Sequence, residues 1–123
     1  MNIYDKAHSL AAAIKKSNEY REFLAKKNKL KENKKALEML KDLRKAQFEL
    51  QKQKLSGNVV SSEQEEKVKR LAEIANMNNF IREYLEAEYR FMVMIQDIQK
   101  ILGGAMKEAE EALLQTEGDK NDA

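Results

Sequence analysis

Apolar residues recur at the three-and-four spacing of a helix along most of this chain, and most continuously between Phe80 and Leu102. There Ile81, Leu85, Glu88, Met92, Ile95, Ile98 (or Gln99) and Leu102 fall on one helical face, flanked by Tyr84, Phe91 and Ile101. The stripe is wide and holds a single carboxylate, Glu88. No Gly or Pro interrupts it, so the pattern predicts a helix of at least about six turns. Such a surface is suited to packing against other helices and carries no visible catalytic apparatus.

The rest of the chain predicts four shorter helices. Ile3, Ala7, Leu10, Ala11 and Ile14 mark a first one ending near Lys16. Ser17 is placed to cap a second, with Glu19 in its first turn and Tyr20, Phe23, Leu24 and Leu30 as its apolar side. A break is expected at Asn33, a good capping residue. A third helix from Lys34 carries Ala36, Leu40, Leu43, Gln47, Leu50 and Lys54 at heptad spacing. Leu37, Phe48 and Leu55 widen that face to one suited to a bundle. Ser56-Gly57-Asn58 should end it, Gly57 supplying a left-handed cap. Ser61 and Ser62 stand three residues before Gln64 and Glu65, giving overlapping capping boxes for a fourth helix with Val68, Leu71, Ala72 and Ala75 on one side. Met77-Asn78-Asn79 is the next turn, with Asn79 capping the long last helix.

Gly103-Gly104 should end or kink that helix, or mark a close backbone crossing, because each glycine costs about 1 kcal/mol relative to Ala in a helix interior. Continued to Leu114, the helix would span roughly 54 Å at ~1.5 Å per residue, against a diameter near 35 Å for a compact domain of this size. Its apolar stripe persists to Leu113, so a second chain is expected to cover the excess. A homodimer or higher even-numbered oligomer is predicted, with Tyr84, Leu85, Glu88, Phe91, Met92 and Ile95 forming core and seam.

Composition agrees with an all-α class. The 123 residues have no Pro, only 4 Gly and 36% charged side chains, with a mean hydropathy of −0.74. Residues 1–115 read as one helical domain, and 116–123, without a large apolar residue, as a disordered tail. No stretch approaches the roughly 18 apolar residues of a membrane span. The first 16 residues read as an amphipathic helix, not a basic stretch followed by an apolar one, so a cytoplasmic location is expected. With no cysteine, disulfides and thiolate chemistry are excluded.

Charge is divided unevenly. Residues 1–57 hold 15 Lys and Arg against 7 Asp and Glu, an excess of 8 positive; residues 58–123 hold 8 against 14, an excess of 6 negative. The halves either neutralise one another, within a chain or across a dimer, or the basic half faces an anionic partner. Six lysines lie within ten residues, Lys26, Lys27, Lys29, Lys31, Lys34 and Lys35, and could grip phosphates. No arginine or aromatic residue accompanies them to read or stack on bases, so a solvated face is the plainer reading.

Candidate chemistry is sparse. Asp5 and His8, at i and i+3, have the spacing used in helical di-metal sites, but those need several such pairs and further glutamates. Glu88 reads better as an ion pair with Arg82, Arg90 or a partner-chain lysine than as a general acid, since no base or nucleophile accompanies it. Met92, Met94 and Met106 could form an adaptable binding surface, although methionine at this spacing is more often core. No phosphate-binding glycine loop is present. Neither a cofactor nor enzymatic activity is expected.

Three segments carry a family resemblance: Ile3-Tyr-Asp-Lys-Ala-His8, Arg44-Lys-Ala-Gln-Phe-Glu-Leu-Gln51 and Ile81-Arg-Glu-Tyr-Leu-Glu-Ala-Glu-Tyr-Arg-Phe91. In order and spacing they resemble the YlbF/YmcA/YheA family of small bacterial helical proteins, most closely its YheA-like branch, over nearly the whole chain to about Leu102. The resemblance implies an all-α, oligomeric protein without catalytic residues, from mainly Gram-positive bacteria. YlbF and YmcA relatives are accessory subunits of a complex acting with a membrane-attached endoribonuclease in mRNA processing, and they affect competence, biofilm formation and sporulation. The iron–sulfur cysteines of some relatives have no counterpart here. The expected protein is therefore a homo-oligomeric adaptor or regulator with an unidentified protein client; a nucleic-acid-associated factor using the basic segment is the alternative.

Overall fold

The computed structural model describes residues 2–121, with side chains to residue 111. Five α-helices are present among them, α1 (Ile3–Lys16), α2 (Asn18–Glu32), α3 (Lys34–Leu55), α4 (Ser62–Met77) and α5 (Asn79–Asn121), and no strand. Each break is made by a small polar side chain taking over a free backbone N–H. Asn2 accepts from the Tyr4 amide, Ser17 from Tyr20 and Asn33 from Ala36. Of the two overlapping capping boxes the fold uses Ser61 with Gln64, each side chain accepting from the other's backbone N–H. Gly57 closes α3 at φ +78°, the left-handed conformation expected there.

Two details of the helix boundaries differ from the sequence reading. Asn78, not Asn79, caps α5: its Oδ1 accepts from the amides of Phe80 and Ile81 at 3.0 and 3.2 Å. Asn79 is the first helical residue and its side chain accepts from Arg82 Nη2. The helix also does not end at Gly103-Gly104. It continues to Asn121, drawn on by Ala105, Lys107, Glu108 and Ala109, all good helix formers. Beyond the helix's own nearby backbone, no atom of the described residues lies within 4 Å of where a Cβ would stand on either glycine, so no other described segment crosses closely there. The tail expected from residue 116 overlaps the last described residues of α5; residues 122 and 123 lie outside the described residues.

The chain divides into two compact units, Met1–Tyr89 and Arg90–Ala123. In the first unit α3 packs against both α2 and α4, and α1 against α2. Leu30, Ala36, Leu40, Leu43, Ala75, Ile81 and Tyr84 make its core, with Phe23, Leu37, Met39, Leu71, Ala72 and Leu85 packed around them. Two residues expected to widen the α3 face, Phe48 and Leu55, are exposed. The buried edge of α5 is Ile81, Tyr84 and Ala87. Ala87 thus takes the inward position that spacing alone gives to Glu88, because an alanine can sit against a neighbouring helix where a carboxylate would lose its hydration.

The described side chains of the second unit belong to α5 alone. Phe91, Val93, Met94, Ile95 and Ile98 are partly buried, whereas Met92, Ile101, Leu102 and Met106 are exposed. Among the described residues no helix is long and apolar enough to cross a membrane.

Candidate functional site

The most connected polar group of the first unit is built on Glu88. Tyr84 and Glu88 stand one turn apart on α5, the spacing at which helical side chains meet. The Tyr84 hydroxyl donates to Glu88 Oε2 at 2.8 Å, and Arg44 Nη2 of α3 donates to Oε1 at 2.5 Å. The Arg44 guanidinium carbon also lies 5.7 Å from the centre of the Tyr84 ring, within cation–π range. On the ring's other contact, Phe23 packs at 5.6 Å with a 36° tilt. Burial raises the Tyr84 pKa above 10.0, and the bond to Glu88 and its negative charge add to the rise; Arg44 opposes it.

Within the first unit the ion-pair partner of Glu88 is Arg44, a residue not among those expected from the sequence. Arg44 directly follows the buried Leu43 and lies one turn after Leu40, at the edge of the α3 core face. That position was readable from the sequence; the facing of α3 and α5 was not. With both carboxylate oxygens engaged, the group ties α3 to α5. Of the other seam residues, Tyr84 lies in the core of the first unit and Leu85 packs against that core, whereas Phe91, Met92 and Ile95 belong to the second unit.

The lysine run is not one surface. Lys26, Lys27, Lys29 and Lys31 belong to α2, Lys34 and Lys35 to α3 beyond the break at Asn33. Lys26 pairs with Glu83 at 3.2 Å. Lys29 and Lys34 line an open hollow with Glu32, Asn33 and Phe80. Lys27 and Lys31 instead border a cavity of about 190 Å³ between α2 and α3. Its apolar lining is Leu30, Leu37, Leu40 and Tyr84; its charged lining is Lys27, Lys31, Lys41 and Arg44, with no carboxylate. Lys41, absent from the run in sequence, joins it here from α3. A second cavity, about 140 Å³ between α3 and α4, is lined by residues of both charges, including Glu49 and Lys67.

Asp5 and His8 are both exposed on α1, and among the described residues no three His, Cys, Asp or Glu are grouped to hold a metal ion.

Comparison with known proteins places these features in a family. The family described as control of competence regulator ComK, YlbF/YmcA, matches residues 3–107. A UPF0342 protein of Halothermothrix orenii is 41% identical over 107 residues, covering 87% of this chain and 91% of that protein. One from Clostridium tetani is 43% identical over 106 residues, 86% and 91% of the two chains. One from Symbiobacterium thermophilum is 41% identical over 104 residues, 85% and 93%. The family match runs from α1 well into α5, and the chain belongs to the YlbF/YmcA family.

Proposed function

We propose that the chain is a non-enzymatic, cytoplasmic, homo-oligomeric helical adaptor whose role is regulatory. The observation that carries this reading is the exposed apolar row of α5, where Met92, Leu102 and Met106 are 46%, 55% and 66% exposed and share the helical spacing of Ile95 and Ile98. A continuous apolar row on a helix is usually an association surface. The family's description concerns control of a competence regulator, which favours a regulatory role; competence, biofilm formation, sporulation and mRNA processing are the processes to which that role would attach.

The first test is the assembly state. Sedimentation velocity at tens of micromolar should give a dimer or a larger even-numbered species; a monomer throughout would sink the reading. Affinity capture from the native organism, compared with capture by a variant carrying Leu102→Lys and Met106→Lys, should then reveal a protein client lost with the apolar row.

A further inference from the structure

We propose that the basic-rimmed cavity between α2 and α3 is a docking pocket for the acidic end of α5 from a second copy of the chain, with Met106 as the apolar anchor and Glu110 as the counter-charge. This rests on the homo-oligomeric reading and names the surfaces that would meet.

The pocket is uncompensated. Arg44 is held by Glu88, but Lys27, Lys31 and Lys41 have no ion-pair partner among the described residues. Three lysines thus border an apolar floor with no carboxylate among the lining, and an incoming carboxylate would meet positive charge there. Leu30 and Leu40, at 2% and 5% exposure, hold the floor in place. At about 190 Å³ the cavity is smaller than the roughly 300–1,000 Å³ of sites that enclose a whole small molecule. It is sized for the end of one side chain presented by a macromolecule.

The chain itself carries a matching element. Between Ile101 and Glu111 there are three glutamates, Glu108, Glu110 and Glu111, against one cation, Lys107. Lys107 lies 3.8 Å from Glu111, leaving Glu108 and Glu110 in excess. Met106 is 66% exposed and stands one turn before Glu110 and one turn after the exposed Leu102. Leu102, Met106 and Glu110 therefore form one narrow face, apolar and then acidic, of the kind a helix lays into a groove through i, i+4 anchors. The unbranched, flexible methionine suits a shallow pocket. Three other exposed apolar side chains lack this setting: Phe48 and Leu55 stand on the lysine-rich α3, and Met77 lies between asparagines.

Charge reversal tests the pairing. One variant carries Lys31→Glu and Lys41→Glu; the other carries Glu110→Lys and Glu111→Lys. All four positions are exposed, and circular dichroism checks that both variants fold. Sedimentation should show self-association weakened at least tenfold in each variant alone and restored when the two are mixed, since each pocket then meets an oppositely charged segment. A wild-type monomer would overturn both this proposal and the oligomeric reading. An oligomer indifferent to either reversal, or loss without restoration on mixing, overturns the pairing alone. Weaker heparin retention by the lysine variant with unchanged assembly would assign the pocket to polyanions and also overturn it.

Discussion

Tyr84 and Glu88 share a 2.8 Å hydrogen bond along α5, and Arg44 engages the other oxygen of the same carboxylate from α3. The bond joins a buried phenol to a partly exposed acid. Because burial and the neighbouring carboxylate hold the Tyr84 pKa above 10.0 in the folded chain, folding favours the protonated phenol. Its contribution is complete below about pH 10, the unfolded value, and is lost as pH rises through the raised folded value. Urea unfolding between pH 7 and 11 should therefore show a steeper alkaline loss for the wild type than for Tyr84→Phe. The variant should be less stable by about 1 kcal/mol at neutral pH. Parallel alkaline losses would show that Tyr84 is not the responsible group.

The Arg44–Glu88 pair should be worth little by itself. The side chains are 46% and 25% exposed, so water and salt screen the attraction. A double-mutant cycle with Arg44→Ala and Glu88→Ala is expected to give a coupling of about 1 kcal/mol or less, shrinking in concentrated salt. A coupling of several kcal/mol would mean that the pair is far drier in solution.

Ile81 is the largest fully buried side chain among the described residues. Its truncation to alanine opens a cavity where α5 meets the core and should cost about 2–5 kcal/mol, whereas Ile81→Val should cost only about 1 kcal/mol. Denaturant midpoints at constant slope would measure both. Equal, small losses would place Ile81 outside the core.

The glycines should respond in opposite directions. Gly57 sits at φ +78°, so Gly57→Ala forces a side chain into the left-handed region and should destabilise by about 1–2 kcal/mol. Gly103 and Gly104 are helical with open space around them. Gly103→Ala and Gly104→Ala should each strengthen α5 by about 0.5–1 kcal/mol, visible as increased helical ellipticity and later melting. Unchanged ellipticity would mean that α5 ends before these residues in solution.

The helices were legible because their ends are written in local chemistry. Ser17, Asn33, Ser61 and Gly57 act through neighbours a few residues away, so sequence alone finds them. Leu40 and Leu43 were equally clear, since one heptad pattern selects them. What escaped depends on rotation and facing. Ala87 and Glu88 differ by one position on a helix, and only the packing of α5 on α2 and α3 decides which turns inward. The same holds for Arg44, whose partner lies 44 residues away. The arrangement of the lysine run also depends on a break in the chain. Asn33 leaves the helical conformation, with φ −99° and ψ 93°, which resets the direction of the chain. Lys27 and Lys31 then share a pocket with Lys41, while Lys34 turns to a different hollow.

Three of the most deeply buried positions, Ala36, Ala75 and Ala87, are alanines with 0–1% exposure. Where a methyl group fills the space between helices, there is almost nothing to remove and no room to add. Enlarging such a residue typically costs about 1–3 kcal/mol through displaced neighbours, so these sites can drift little beyond glycine or serine. The exposed faces of the same helices carry no such restriction. Divergence among relatives should therefore concentrate on surface charge while the helix spacing stays fixed, which lets one scaffold change its partners without changing its fold.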